Sequence, residues 1–396
     1  MRYNSWKNFL FYGGQFMFAK LLAYRMPDLN ISLHEVIDYT SNNSCMSGNL
    51  WHNYLACMIL SDVNFFSRRC ERREAPNDSL KDIALHDFEQ YMKFFKYERD
   101  TIIFKADKSK YDKVLCGICK KLADSKTPEE FYKHVTSFYK NYGIGYFAFE
   151  GAFKYDGENI VPVSWDTNIK LADIVGYEIQ KNELIRNTEA FIAGRPANNV
   201  LLYGDGGTGK SSSVKALLNE YFSKGLRVVE IYKHQFKDIL KISGILRRRN
   251  YKFIIFIDDL SFEENESDYK FLKAIIEGGI EAKPTNILIY ATSNRRHIVR
   301  EIWKDRDDME HNGDIHRSDT VEEKLSLASR FGIAINYSSP SRENYHNIVI
   351  SLAEKAGLNI EQEKLLYGAD RWEIQHGGKT GRAARQYIDY LLGENK

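Results

Sequence analysis

The sequence predicts an α/β protein with a mainly helical region at 1–165, an α/β domain at 166–340 and a helical domain at 341–396. The first reason is a series of short apolar runs, each bounded by polar residues or glycine, as in the buried strands of a parallel sheet. These runs lie at 200–203, 226–232, 251–259, 286–294 and 333–337. The second reason is that apolar residues recur every three or four positions between them, which is typical of helices.

The regions on either side of the α/β domain show mostly helical spacing. Apolar residues recur at helical intervals in 80–95, in 131–139 and throughout 341–396. The segment 146–163 differs because it alternates, which predicts a strand or a hairpin that turns at Asp156-Gly157.

Composition limits the classes of protein that the chain can belong to. Of its 396 residues, 43% are hydrophobic and 28% are charged, and the net charge of +2 does not predict binding of a polyanion by the whole chain. The five cysteines are odd in number, which argues against a disulfide framework and favours the cytoplasm. No apolar run approaches the ~20 residues that cross a bilayer, so we expect no membrane partner.

A glycine-rich loop joins the first predicted strand to a helix. Residues 204–211, GDGGTGKS, match the pattern G-x-x-x-x-G-K-[ST] in that setting. There, backbone N–H groups bind phosphate oxygens and the helix N-terminus adds partial positive charge. Lys210 is expected to reach the β- and γ-phosphates, and the Ser211 hydroxyl to bind Mg²⁺. The residues expected to bind the nucleotide here are Gly204, Asp205, Gly206, Gly207, Thr208, Gly209, Lys210, Ser211 and Ser212.

Polar residues end two of the other predicted strands. Asp258 and Asp259 follow the apolar run 251–257, and Asn294 ends the run 286–294. Ligands of open α/β sheets bind at the carboxyl ends of the strands, so these side chains are expected beside the glycine-rich loop. Asp258 is expected to hold Mg²⁺ through water, Asp259 to orient the attacking water as a general base, and Asn294 to contact the γ-phosphate or that water. The alternative for the two aspartates is a helix cap.

Two further segments each permit two interpretations. The loop 173–177, which contains Val175 and Gly176, either packs on the base of the nucleotide or caps the following helix. The basic run 247–249 is best interpreted as a solvated helix end, and contact with a nucleic-acid backbone is the alternative.

These motifs, in this order, resemble the AAA+ ATPases over residues 168–396. Closer still, LLYGDGGTGKSS, FIDDLSFEE, LIYATSNRRH, EKLSLASRFG and GKTGRAARQYI resemble the bacterial family of predicted ATPases named domain of unknown function 815. The resemblance implies a five-stranded parallel sheet in the order 5-1-4-3-2, a helical lid at 341–396, and ATP with Mg²⁺ as ligands.

The resemblance also implies roles for individual residues. Asn294 would be the sensor 1 residue. Arg330 would be an arginine finger that reaches the ATP of a neighbouring subunit, which implies a homo-oligomer. The sensor 2 arginine would be Arg385, which we favour, or Arg382.

One position departs from the superfamily pattern. Most AAA+ proteins have Asp-Glu where this chain has Asp258-Asp259. The shorter side chain withdraws the carboxylate by roughly 1.5 Å, and a displacement of about 1 Å can cost ~100-fold in rate. Hydrolysis is therefore expected to be slow unless Glu263 or Glu264 contributes.

Four functions are compatible with these residues. The favoured one is a Mg²⁺-dependent ATPase that hydrolyses ATP to ADP and remodels an unknown protein partner. The others are a nucleic-acid-associated ATP switch, to which the basic run and Arg295-Arg296 would contribute, a small-molecule kinase, and a nucleotide-binding scaffold without turnover.

Overall fold

The computed structural model describes residues 21–42, 48–97, 103–104, 110–165, 169–261, 269–277, 284–294 and 330–394. They belong to two compact units, Met1–Gly145 and Tyr146–Lys396. The expected division into three domains stays a prediction. Among the helices of the described ranges, none combines the length and apolarity needed to span a bilayer.

The first unit is mainly helical. Its elements are α1 (Leu33–Asn42), β1 (Gly48–Asn49), α2 (Leu50–Ser61), α3 (Phe65–Glu71), α4 (Asp78–Lys96), β2 (Ile103–Phe104), α5 (Lys110–Ala123) and α6 (Pro128–Tyr142). Aromatic side chains fill its core, among them Phe66, Phe88, Tyr91, Phe131 and Tyr139, which are fully buried. Cys70 and Cys119 are free and buried. Cys57 is disulfide-bonded, which the sequence did not indicate.

A buried carboxylate fastens the start of the described chain to α4. Asp87 is 0% exposed and accepts hydrogen bonds from the backbone N–H groups of Leu22 at 2.8 Å, Ala23 at 2.7 Å and Tyr24 at 3.1 Å. These bonds satisfy a buried charge that would otherwise be costly.

The second unit is a mainly parallel sheet with flanking helices. Its strands are β3 (Ala152–Tyr155), β4 (Ile160–Pro162), β5 (Val200–Gly204), β6 (Leu226–Glu230), β7 (Lys252–Ile257), β8 (Ile287–Asn294) and β9 (Ile333–Tyr337). Its helices are α7 (Tyr146–Phe149), α8 (Glu178–Ile192), α9 (Lys210–Tyr221), α10 (Ile239–Leu246), α11 (Tyr269–Glu277), α12 (Arg342–Lys355), α13 (Gln362–Gln375) and α14 (Gly381–Glu394). Short 3₁₀ turns lie at Leu171–Asp173, Phe222–Lys224 and Lys233–Asp238.

Within the described residues, the sheet has seven strands in the order β4-β3-β6-β7-β8-β5-β9, so the expected five-stranded sheet was wrong. The five apolar runs of the sequence form β5 to β9, which are neighbours in the order β9-β5-β8-β7-β6. Two more strands extend the sheet because residues 152–162 fold as a hairpin, one of the two forms expected for 146–163. The expectation was wrong for residues 146–149, which form the helix α7. β3 pairs antiparallel with β4 and parallel with β6. Alternation in the sequence indicated these strands but not the sheet that they join.

The register of the sheet brings several strand ends to one edge. Gly204 at the end of β5 is paired with Asn294 at the end of β8, and Ile257 at the end of β7 is paired with Ala291. Buried side chains of β5, β7, β8, α10 and α11 form the core that holds these strands. The helices α12, α13 and α14, which we call the lid, pack around a separate core that includes Tyr345, Val349 and Ala369.

Candidate functional site

The loop between β5 and α9 has the backbone conformation that its glycines permit. Gly204, Gly207 and Gly209 have φ values of 134°, 75° and 95°, which residues with a Cβ rarely adopt. A Cβ on Gly204 would lie 2.2 Å from the carbonyl oxygen of Tyr337 in the neighbouring strand. The close approach of β9 therefore requires glycine at the first position of the motif.

Lys210, the first residue of α9, points back into this loop. Its ammonium donates hydrogen bonds to the carbonyl oxygens of Gly204 at 2.9 Å and Asp205 at 2.7 Å, and lies 3.4 Å from Asn294 Oδ1. Burial lowers the pKa of Lys210, and the carboxylates of Asp205, Asp259 and Asp258 oppose that shift. The cation is thus held at the edge where the strands end.

Ser211 and Asp258 contact each other directly. Ser211 Oγ donates to Asp258 Oδ1 at 2.6 Å, and Thr292 Oγ1 donates to the same oxygen at 2.5 Å. A hydroxyl and a carboxylate oxygen at this spacing are the hard oxygen donors that Mg²⁺ prefers. These two side chains could hold the ion together with substrate phosphates.

Asp259 has an unusual backbone conformation. Its φ of 54° lies in the left-handed region, and such outliers are kept only where surrounding contacts impose them. Its N–H donates to Thr292 Oγ1 at 2.9 Å, and its Oδ1 accepts a hydrogen bond from Asn294 Nδ2 at 2.9 Å. The neighbouring strand β8 therefore fixes both the backbone and the carboxylate of Asp259.

These residues line a cleft of about 970 Å³. The polar part of the lining consists of residues 206–212, Asp258, Asp259, Thr292 and Asn294, with Asp173, Arg382, Arg385 and Asp389. Apolar side chains also contribute, namely Ile169, Ile174, Val175, Tyr177, Ile348 and Leu352. A mixed lining of this kind suits a ligand with a phosphate chain and an aromatic base.

Comparison with known proteins identifies the family. Residues 147–395 match the family described as "Protein of unknown function (DUF815)". The chain belongs to the DUF815 family. This match confirms the resemblance drawn from the sequence motifs.

This DUF815 protein also has a more distant similarity to one curated protein and to solved structures of another protein. The replication factor C large subunit of Staphylothermus marinus is 32% identical over 115 residues, which are 27% of this chain and 26% of that protein. The chain thus spans about a quarter of the length of this curated relative. The Thermotoga maritima RuvB Holliday junction branch migration motor superposes with a TM-score of 0.38 and 18% identity, over 57% of this chain and 65% of that one. A mutant form of the same motor gives a TM-score of 0.40.

Not all of the expected nucleotide-binding residues of the DUF815 protein line the cleft. Gly204 and Asp205 do not line it. Their carbonyl oxygens accept hydrogen bonds from Lys210, and the Asp205 carboxylate accepts hydrogen bonds from Ser339. Val175 lines the cleft. Gly176 faces away, and a Cβ on it would lie 3.4 Å from Asn344 of α12.

Both candidate sensor 2 arginines lie on α14 at the cleft. Arg382 and Arg385 each contribute to its lining. Arg382 is also attached to the loop, because its N–H donates to the carbonyl oxygen of Gly207 at 3.2 Å. The sequence favoured Arg385, whereas this contact places Arg382 beside the loop, and the choice between them stays open.

Arg330 lies at the opposite edge of the sheet. It precedes β9, whose first residue, Ile333, is paired with Val200 at the start of β5, and whose last residue, Tyr337, is paired with Gly204. Four residues of strand separate these ends by roughly 13 Å. Arg330 is therefore remote from the cleft of its own chain. Glu263, Glu264, Arg295 and Arg296 lie outside the described residues.

The role of Thr292 was not predicted from the sequence. Asp258 and Thr292 directly follow Ile257 and Ala291, the last pair of β7 with β8, and the Thr292 hydroxyl contacts both aspartates of the motif. The sequence offered a signal, since Thr292 lies at the same strand end as Asn294. Glu230, at the end of β6, does not line the cleft, but burial and the Asp258 charge raise its pKa.

Proposed function

We propose that this DUF815 protein is an ATPase of the AAA+ type that binds ATP with Mg²⁺ and hydrolyses it to ADP and phosphate. The observation that carries the proposal is the contact of 2.6 Å between Ser211 Oγ and Asp258 Oδ1 beside the ammonium of Lys210. A glycine-rich loop alone is a phosphate site, whereas the added hydroxyl–carboxylate pair supplies ligands for the ion that accompanies a triphosphate.

In this proposal the loop positions the phosphates. Backbone N–H groups of residues 206–209 and the N-terminus of α9 bind phosphate oxygens. Lys210 exchanges the carbonyl oxygens of its own loop for the β- and γ-phosphates. Ser211 and Asp258 would hold Mg²⁺, and the ion, when bound, would supply neutralisation of the charge that develops on the transferring phosphoryl group.

Asp259 is the proposed general base. Most AAA+ proteins have glutamate here, but the left-handed backbone of Asp259 and its hydrogen bond from Asn294 orient the shorter carboxylate toward the cleft edge. Asn294, between Asp259 and Lys210, is suited to sense the γ-phosphate. Preorganisation of this kind supplies much of the catalytic effect of an enzyme.

Turnover in this scheme requires a second copy of the chain. Arg330 is remote from its own cleft, so as an arginine finger it would act on the ATP of a neighbouring subunit in a homo-oligomer. Arg382 or Arg385 would couple the γ-phosphate to movement of the lid, which would remodel a protein partner. The cytoplasm stays the expected compartment.

Matched substitutions at Asp259 test this function. Asp259→Asn keeps the size of the side chain and removes its basicity, so ATP binding should persist while steady-state hydrolysis falls at least about 100-fold. Asp259→Glu restores the common residue and should retain or raise the rate. The proposal fails if Asp259→Asn hydrolyses ATP as fast as the unaltered protein.

A nucleic-acid-associated switch is the second candidate. Its support is the basic run at the end of α10, although the Arg249 guanidinium already lies 4.6 Å from the ring centroid of Phe147. If the run binds a phosphate backbone, DNA affinity should fall steeply with salt and should drop on Arg248→Ala. An absence of DNA binding at low salt removes this candidate.

A further inference from the structure

Lys181 is a buried cation that the scheme above does not use. It lies in the second turn of α8 and is 6% exposed. Its ammonium donates hydrogen bonds to the carbonyl oxygen of Ile174 at 2.7 Å, to the carbonyl oxygen of Leu171 at 3.4 Å and to Glu178 Oε1 at 2.7 Å. An ammonium has three N–H donors, so these acceptors use all of them.

The two carbonyl groups belong to a segment, residues 171–175, that contributes Asp173 and the apolar side chains of Ile174 and Val175 to the lining of the cleft. Residues 171–173 make one 3₁₀ turn, and Ile174, Val175 and Tyr177 then line the cleft. Within the described part of the chain, this segment pairs with no strand. Its own backbone bonds run from Asp173 N–H to Lys170 and from Ile174 N–H to Leu171.

Lys181 therefore holds two carbonyl groups of this segment, while the Asp173 carboxylate is held separately by Lys355 of α12 and by the N–H of Lys170. Ile174 also abuts the phosphate loop, since a Cβ on Gly209 would lie 3.4 Å from Ile174 Cγ2. The far end of the segment is fixed by the Tyr177 hydroxyl, which donates to the carbonyl oxygen of Ser338 at 2.8 Å. Without Lys181, the stretch between Leu171 and Val175 would lose a buried, charge-assisted contact to two of its carbonyl groups.

We infer that Lys181 is a positioning residue for the base of the nucleotide. Lys181 fixes the carbonyl groups of Leu171 and Ile174 and thereby the position of Val175, whose backbone and side chain would pack against a purine. Lys181 does not touch the ligand itself. The selectivity of the site for one base over another then depends on a lysine outside the cleft. This inference rests on the proposed nucleotide site and adds to it the determinant of base recognition.

The test separates the base from the phosphates. The ligands are ATP, GTP and inorganic tripolyphosphate, each with Mg²⁺, and the variant is Lys181→Met, which keeps an unbranched side chain of similar length but has no donor. We expect about a tenfold weaker ATP affinity, corresponding to ~1.4 kcal/mol, and a smaller preference for ATP over GTP. Tripolyphosphate affinity should be unchanged, which also shows that the variant is folded.

Two further variants keep the result interpretable. Glu178→Gln removes the charge of the exposed partner of Lys181 but keeps an acceptor, and should leave all three affinities unchanged. Lys181→Gln keeps N–H donors on a shorter side chain, so its ATP affinity should fall between those of Lys181→Met and the unaltered protein. It replaces Lys181→Met in the test if Lys181→Met does not fold.

The outcomes distinguish this inference from the proposed function. If Lys181→Met weakens ATP and tripolyphosphate by the same factor, or changes neither affinity nor base preference, Lys181 is structural only and the inference is overturned. If the unaltered protein binds neither ATP nor tripolyphosphate, the proposed function itself fails. Lys210→Ala, which removes the phosphate contact, should lose both ligands together.

Discussion

Thr292 Oγ1 donates a hydrogen bond of 2.5 Å to Asp258 Oδ1 and accepts one of 2.9 Å from the N–H of Asp259. One hydroxyl on β8 thus fixes both acidic residues that follow β7. Groups that orient a metal ligand typically change activity by about 10- to 100-fold when they are removed.

Thr292→Val should therefore slow ATP hydrolysis by about 10- to 100-fold, with a smaller change in ATP affinity. Valine has the same shape as threonine but leaves Asp258 without this donor and the Asp259 N–H without this acceptor. Steady-state hydrolysis and equilibrium ATP binding measure the two effects. Thr292→Ser, which restores the hydroxyl, should recover most of the rate, and a valine variant with full activity would contradict the prediction.

Gly204→Ala should destabilise the protein by more than the cost of placing alanine at a positive φ. The added Cβ would meet the carbonyl oxygen of Tyr337 at 2.2 Å, so β5 and β9 would have to separate. Gly225→Ala is the matched control, because Gly225 also has positive φ, 92°, but no atom lies within 4 Å of its added Cβ. We expect a loss of about 1 kcal/mol for Gly225→Ala and at least ~3 kcal/mol for Gly204→Ala, measured by denaturant unfolding. Equal losses would contradict the clash.

Arg330→Ala should abolish most ATP turnover while ATP still binds. Mixing this variant with Lys210→Ala should restore part of the activity, because the second variant supplies Arg330 to the intact cleft of the first. The control replaces Lys210→Ala with the double variant Lys210→Ala/Arg330→Ala, which should restore nothing. Unaltered turnover by Arg330→Ala at every protein concentration would contradict action between subunits.

The lid should lose stability in acid through Asp370. Burial raises the pKa of this carboxyl, but hydrogen bonds from Arg342 and His346 outweigh that effect and lower it overall. A carboxyl whose pKa is lower in the folded state stabilises the fold above its ordinary value of 3.8, and this contribution disappears as pH falls through the lowered value.

Asp370→Asn should therefore cost about 0.5–1 kcal/mol near pH 7 and flatten the decline of stability below pH 4. Denaturant unfolding across pH 2 to 7 measures both effects. Glu363→Gln on the same helix removes a carboxylate in an exposed position and should change little. If the stability of Asp370→Asn falls below pH 4 as steeply as that of the unaltered protein, the prediction is contradicted.

The sequence predicted those parts of the fold that depend on local patterns. Local patterns could predict the glycine-rich loop, the ends of β7 and β8, and the hairpin at 152–162. Strand length, alternation and glycine placement are properties of neighbouring residues. The attachment of β3 to β6 was not, because pairing between strands 76 residues apart (Phe153 with Val229) leaves no local pattern.

The site was predictable to the same degree. Lys210 was predicted from the glycine-rich motif, and Asp258 and Asn294 were expected beside it because the carboxyl ends of parallel strands share an edge. Thr292 and Lys181 were missed because their roles depend on cross-strand register and on a lysine that turns inward to bind carbonyl groups. In the sequence such a lysine looks like any exposed lysine, and only its burial in the structure distinguishes it from them.

The most direct test of the central claim is phosphate release from ATP in a single turnover. The claim is that Lys210, Ser211 and Asp258 meet at one magnesium-bound triphosphate. With protein in excess over ATP, the unaltered chain should release about one phosphate per ATP only when Mg²⁺ is present, and Lys210→Ala should release none above background. No release by the unaltered protein, or equal release by Lys210→Ala, would contradict the claim.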